Sequence, residues 1–321
     1  MFKRIRGKLM EKFFGCNPIL EHMLRNGFKD HPVGSIILSL YMFPVRNILK
    51  PSDEKLFSQH TFKASPQYYS ELQDLLHIGR VEGFGFVRSG RDYDGGYIML
   101  DDFHAGNIAY SFGISDDVSW DRDVASRGCD VFMYDHTIDG LPEENPRFHW
   151  SKLGIGDGSG KDDRLKTLEE LISRNGHEDK RDMILKMDVE GAEWGFLDSV
   201  KPETLAQFSQ IIFELHDITR NPDSDRVLRV LRKLNKTHQL VHIHPNNARD
   251  HITIGGKNFS ALIEVLYVLR DKYEFTADDD VKLPLEIDKP NTKKYPEVEL
   301  GLWNKKAKIN DTFTLTAKVF Y

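Results

Sequence analysis

Three places along the middle of the chain combine carboxylates and imidazoles in a way that could do chemistry. Asp188 closes a short apolar run, and Glu190 and Glu193 follow it closely; Glu214 and His216 close a second run; His242 and His244 close a third, just before Pro245. Carboxylate and imidazole donors together suit a divalent ion such as Mn, Fe, Mg or Zn. Asp188, Glu214 and His244 would make one such set, two carboxylates and one imidazole, with positions left open for water or a substrate diol. A metal-free reading is equally available: Asp188 orients a substrate hydroxyl while His216 or His244 removes its proton as a general base. Plainer readings stand beside both. Acidic residues at a helix start are favoured by the helix dipole, and a single histidine near a strand end is often just a satisfied structural residue.

These residues need elements to position them. Residues 183–189 form an apolar run broken only by Lys186 and Asp188, which lie on one face at period-two spacing. Such a run reads as a buried parallel strand. Asp188 then falls at its carboxyl end, where open α/β sheets bind ligands. Upstream, residues 108–115 read as a strand entering a turn at Gly113, followed by a helix, and residues 130–135 as a strand ending in Asp135. A strand, a glycine turn, a helix and an acid on the next strand end make a nucleotide-binding half-unit, in which the acid accepts hydrogen bonds from ribose hydroxyls. The G-x-G-x-x-G fingerprint is absent, which argues against a pyrophosphate cofactor and leaves room for an adenosine cofactor without phosphates.

The remaining elements fill out an α/β fold. Residues 147–153 form a third strand, followed by the glycine-rich loop 154–160, and Leu165, Leu168 and Ile172 mark a helix face. Residues 210–217, 239–247 and 261–269 read as further strands, with Val227, Val230, Leu231 and Leu234 giving an amphipathic helix between the first two. Asp94-Gly95-Gly96 between strands at 84–88 and 97–100 is a hairpin signal, which leaves the flanking Arg88, Arg91 and Tyr97 unexplained. Residues 1–80 read as helical and could serve as a lid, a substrate collar or a surface for pairing two chains. Residues 281–310 look irregular, and 312–320 alternate as a half-exposed strand.

Composition narrows the partners. The chain has 321 residues, 44 basic against 50 acidic, a net charge of -6 and no basic tract, so a nucleic-acid backbone is not an expected partner. Cys16 and Cys129 offer neither a disulfide framework nor a zinc spacing. The basic N-terminus lacks the apolar core of a signal peptide, and the apolar stretch 33–45 is too short to span a bilayer. A soluble, cytoplasmic protein without an integral membrane segment is expected.

Lys186-Met187-Asp188-Val189-Glu190-Gly191-Ala192-Glu193 resembles the signature of the FkbM-type family of S-adenosylmethionine-dependent O-methyltransferases. Asp94-Gly95-Gly96-Tyr97, the segment 110–115 and Phe213-Glu214-Leu215-His216 match as well, while residues 241–247 and 287–291 resemble a bacterial branch that modifies surface sugars. The resemblance covers residues 84–321. It implies a Rossmann-like seven-stranded methyltransferase sheet, its last strand antiparallel, with residues 1–80 as a helical extension and 81–321 as the methyltransferase domain with a C-terminal appendage. It implies S-adenosylmethionine as cofactor, with Tyr97, Ser111, Phe112, Gly113 and Ser115 around its methionine end and Asp135 on its ribose. Trp120, Gly154 and Asp157 would stand on the adenine side. Ser115 departs from the glycine common at that point of the family. The acceptor would be a sugar, free or nucleotide-linked, in surface polysaccharide biosynthesis, and a divalent metal at the strand ends fits the pattern. A metal-dependent hydrolase or sugar-modifying enzyme on the same sheet, and a non-catalytic carbohydrate-binding protein, are the rival readings.

Overall fold

The structure, a computed structural model, describes residues 66–160, 162–219, 221, 223–306 and 316–318. The helices read within residues 1–65 lie outside the described residues, as does most of the strand read at 312–320.

Seven strands form the central sheet: β1 (Ile108–Phe112), β2 (Asp130–Tyr134), β3 (Phe148–Ser151), β4 (Met183–Met187), β5 (Phe208–Leu215), β6 (His238–Pro245) and β7 (Ile263–Leu269). Their spatial order is β6-β7-β5-β4-β1-β2-β3. Neighbours from β3 through β5 run parallel, and β7 lies antiparallel between β5 and β6. This is the expected sheet with its last strand reversed. The chain builds outward from β1 to β3, then returns to place β4 on the other side of β1. In open α/β sheets the ligand crevice lies at such a reversal, here outside the carboxyl ends of β1 and β4.

Burial on both faces explains the sequences of the middle strands. All five residues of β4 and all eight of β5 are buried, so these strands read as continuous runs rather than alternating ones. One face carries Tyr110, Phe112, Leu185, Met187, Ile211 and Phe213; the other carries Ala109, Val131, Met133, Ile184 and Ile212. The first face is covered by helices α1 (Pro66–Leu75), α3 (Leu168–Arg174), α4 (Glu193–Ser199) and α5 (Ser224–Thr237), and the second by α2 (Ser119–Ser126) and the hairpin of Phe86–Ser89 with Tyr97–Leu100 that precedes it. Helix α5 buries Val227, Leu228, Val230, Leu231 and Leu234 and is capped by Asp223, which accepts from the Arg226 amide. Thr167 and Glu170 form a reciprocal capping box at the start of α3.

Three features outside the sheet matter for the site. Phe86–Ser89 and Tyr97–Leu100 pair as the expected hairpin, and Gln210 of β5 fastens it by bonding the Leu100 amide and carbonyl. His251–Ile254 and Lys257–Ser260 form a second hairpin, turning through Gly255-Gly256, with Thr316–Lys318 added at its edge. Within the span read as irregular, Lys282–Leu283 and Gly301–Leu302 pair as a short antiparallel ladder, while residues 284–300 between them carry no regular structure and lie along the sheet edge, where Asn247 donates to the carbonyls of Thr292 and Tyr295 at 2.8 Å each. No described helix is long and apolar enough to cross a membrane.

Candidate active site

A cleft of about 460 Å³ opens at the carboxyl ends of β1, β2 and β4. Its floor is made by close approach of two backbones. At Gly113, φ is +76°, and a Cβ there would stand 1.6 Å from the carbonyl oxygen of Asp188, so only glycine fits. The Asp188 amide donates to the Phe112 carbonyl at 3.1 Å, extending the β1–β4 ladder up to the turn. Ser115 also sits in the left-handed region, at φ +50°, which gives a physical reason for glycine being common at that point.

Of the residues assigned to the cofactor from the sequence, Tyr97, Phe112, Gly113, Ser115, Trp120, Asp135 and Gly154 line the cleft, together with Asp188. Ser111 and Asp157 are not among its lining residues. Ser111 is fully buried within β1, and the Asp157 carboxylate accepts from the Ser159 amide. Trp120 packs with Tyr97 and Ile114 on one face of the sheet, whereas Ile155 belongs to the other. Trp120 and the 154–155 wall, grouped in the sequence, thus line one cleft from opposite faces of the sheet.

Asp135, the acid read as the ribose partner, lines the cleft and is held there by the turn. One carboxylate oxygen accepts from the amides of Ile114 and Ser115, and the other from the amide and hydroxyl of Thr137. Burial alone would push its carboxyl up, but these hydrogen bonds outweigh burial and hold it below the usual range. With four donors the carboxylate is filled. It fastens the glycine turn to β2, and a ribose diol would have to displace one of those donors. Lys186, buried under the same turn, donates to the Gly113 carbonyl at 2.7 Å and faces the Tyr97 ring at 5.7 Å.

Beyond Asp188 the edge becomes acidic. Asp188, Glu214 and His216 bring one donor atom each to within 4.8 Å of one another. The Tyr97 hydroxyl donates to Asp188 Oδ2 at 3.2 Å, and Asp188 Oδ1 and Glu214 Oε1 are buried without a hydrogen-bond partner. Glu193, in the first turn of α4 and fully buried, accepts from the His216 amide at 2.7 Å and from its ring Nδ1 at 3.2 Å. The opposite ring nitrogen, Nε2, stands 3.3 Å from Glu190 and 3.6 Å from Glu214. Burial pulls the imidazole down, but the surrounding carboxylates (Glu190, Glu193, Glu214) raise it to about 10. Burial, with the charges of Asp188 and Glu264, drives the Glu214 carboxyl well above its ordinary range; burial and the same neighbours raise Asp94.

One member of the expected metal set changes. His244 is buried, and both its ring nitrogens are engaged, Nδ1 by Glu264 at 2.9 Å and Nε2 by Glu297 at 3.4 Å. The histidine that stands with Asp188 and Glu214 is His216, one of the two candidates for a general base. His242 is likewise taken, by Asp288 at 3.1 Å. Sequence reasoning missed Glu264, Asn291 and Asp94 as parts of this edge. Glu264 had a signal, as the one charge in an otherwise apolar strand.

A seven-stranded sheet of this order, with a cleft at the β1 glycine turn, is the Rossmann-like methyltransferase fold. More narrowly, the chain belongs to the FkbM methyltransferase family: residues 55–238 match the model of the methyltransferase FkbM domain. That membership favours the methyltransferase over the hydrolase and binding-protein readings. No curated protein matches the chain. Among solved structures, a candidate hemolysin from Streptococcus thermophilus is similar over 55% of this chain and 72% of its own, at 9% identity and a TM-score of 0.32. A predicted O-methyltransferase from Agrobacterium tumefaciens is similar over 54% of this chain and 77% of its own, at 12% identity and a TM-score of 0.30.

Proposed function

We propose that this methyltransferase uses S-adenosylmethionine to methylate a hydroxyl of a sugar, free or nucleotide-linked, in surface polysaccharide biosynthesis. The observation that carries the reading is the position of Asp188. It borders the cofactor-sized cleft through its contact with Gly113 and the acidic edge through its approach to Glu214. The residues fit the cofactor: the close backbone approach at Gly113 lets the turn lie flat along the cleft, and the cleft volume is in the ordinary range for such ligands. Tyr97, Phe112, Gly113, Ser115 and Trp120 would surround its methionine end, where the buried Lys186 ammonium suits a carboxylate. Gly154 and Ile155 would wall the adenine.

When bound, the cofactor supplies an electrophilic methyl group and its own leaving group. This chain's residues must orient the acceptor oxygen in line and take its proton. Asp188, with one oxygen held by Tyr97 and the other without a partner, is placed to accept that hydroxyl's hydrogen bond. Asp94 and Glu214 add oxygens for neighbouring hydroxyls, which supports a polyol acceptor. A divalent ion at these strand ends (Mn, Fe or Mg) would supply Lewis acidity toward the acceptor hydroxyl.

The test is calorimetric titration with S-adenosylhomocysteine, followed by transfer of labelled methyl groups to a panel of monosaccharides and nucleotide sugars. One-to-one binding and an alkali-stable methyl ether product are expected. Absence of binding would overturn the cofactor assignment, and an alkali-labile ester would overturn O-methylation of a hydroxyl.

A further inference from the structure

The carboxyl edge beside the cleft holds three ligand-type side chains, and each has a separate arrangement that leaves one atom pointing at the others. The Tyr97 hydroxyl occupies Asp188 Oδ2, so Oδ1 remains without a partner. Glu193 occupies His216 Nδ1, so the ring presents Nε2 to the acidic edge, 3.3 Å from Glu190 and 3.6 Å from Glu214. Glu214 has a side chain 5% exposed, and its Oε1 has no hydrogen-bond partner. Buried carboxylate oxygens are ordinarily paired or bound to a cation. Two orphaned oxygens and an oriented imidazole nitrogen at one spot call for a cation.

The arrangement behind His216 is the more telling part. Metal-bound histidines typically give their second ring nitrogen to a carboxylate, which fixes the tautomer and aims the ligand atom. Glu193 is fully buried, and its two oxygens hold the Gly191 amide, the His216 amide and the His216 ring. It is fixed before any ligand arrives, and it fixes His216 in turn. The second station on this edge lacks this openness: both nitrogens of His244 are hydrogen-bonded to carboxylates, whereas His216 Nε2 lies 3.3 Å from Glu190 and 3.6 Å from Glu214 with no hydrogen bond made.

We propose that Asp188, Glu214 and His216 form a divalent-cation site, with Glu193 as its positioning residue, and that the cation's open positions take two adjacent oxygens of the acceptor, a vicinal diol. Two oxygen donors and one nitrogen donor suit Mn, Fe(II) or Mg. The proposal deepens the reading of the acceptor side and rests on it for the identity of the diol, while the cation site itself is tested apart from methyl transfer.

The probe is Mn²⁺, measured by electron paramagnetic resonance of the free ion, with S-adenosylhomocysteine titrated into the same samples to report an intact cofactor cleft. Wild-type protein is expected to bind one Mn²⁺ per chain and to show spin-echo modulation from one imidazole nitrogen. Glu214→Gln should abolish binding, and His216→Gln should remove the nitrogen modulation. Glu193→Gln should weaken Mn²⁺ roughly 10- to 100-fold while leaving S-adenosylhomocysteine affinity unchanged, a split that a merely structural role would not produce. Wild-type protein that binds S-adenosylhomocysteine but no Mn²⁺ at millimolar concentration would overturn the site and leave the methyltransferase reading standing. Mn²⁺ binding that survives Glu214→Gln would also overturn it. Mn²⁺ binding with no S-adenosylhomocysteine binding would uphold the cation site and sink the cofactor assignment instead.

Discussion

His216 and His244 occupy comparable stations on one sheet edge, yet they are finished differently. Both imidazoles are buried and both are held up at about 10 by surrounding carboxylates, against the pull of burial. Around His244 the partners close on themselves. Glu264 and Glu297 take its two nitrogens, and Asn291 donates to the other oxygen of Glu264. Around His216 the partners stop short, with Asp188 Oδ1 and Glu214 Oε1 left without hydrogen bonds. The same residue types thus make a structural tie in one place and a reactive opening in the other. What decides is whether the segment 284–300 reaches in to supply Glu297, Asn291 and Asp288.

The largest effect should come from the open station. Asp188→Asn keeps the shape but removes the charge that receives the acceptor's proton, and general-base losses of this kind run about 10²- to 10⁴-fold in kcat. S-adenosylhomocysteine affinity should change by no more than roughly threefold, since the backbone of residue 188, which meets Gly113, is unchanged. Steady-state kinetics beside calorimetry would show this split; equal losses in turnover and cofactor affinity would assign Asp188 to the cofactor instead.

The closed station should answer in stability. His244→Gln leaves Glu264 and Glu297 without their shared cation, and breaking a buried pair from one side costs roughly 3–5 kcal/mol. Urea unfolding should register that loss, while Mn²⁺ binding by the folded variant should persist. A variant of wild-type stability that lost Mn²⁺ would restore His244 to the ligand set and reverse the comparison.

The pH dependence separates the same station in the wild-type protein. His244 has a folded pKa of about 10, raised above the usual unfolded value of about 6.5. Its contribution is fully present below pH 6.5 and is lost as pH rises through 10. Between pH 7 and 9 the loss should reach roughly 2–3 kcal/mol, at up to about 1.4 kcal/mol per pH unit. The difference in unfolding free energy between wild type and His244→Gln should therefore shrink across that window. A gap that stays constant would show that His244 does not ionise there.

How much of this could be read beforehand follows from where each partner lies in the chain. The uninterrupted run of β4, the glycine after β1 and the apolar run of β5 carry the sheet, because burial on both faces leaves a local record. Asp188, Glu214 and His216 could also be picked out, because ligand types at strand ends are local patterns. The choice between His216 and His244 could not, since Asp288 and Glu297 lie 46 and 53 residues beyond the histidines they engage. Asp135 shows the other limit. An acid at the end of β2 is visible in the sequence, but its filling by the turn amides and Thr137 depends on loop conformation, including the left-handed Ser115.

The smallest effect should come from an ion pair that water, rather than protein, surrounds. Arg122 and Glu143 meet at 2.9 Å, with side chains 52% and 37% exposed. The geometry matches that of the buried pairs, so this pair isolates the part played by burial. An exposed pair is screened by solvent and salt and gives up side-chain entropy to hold its geometry. A double-mutant cycle on Arg122→Ala and Glu143→Ala should return a coupling below about 1 kcal/mol, falling further in high salt. A coupling as large as the loss in His244→Gln would mean that pairing alone sets the weight of these contacts. Closure by the 284–300 segment would then no longer explain why one histidine station is structural and the other open.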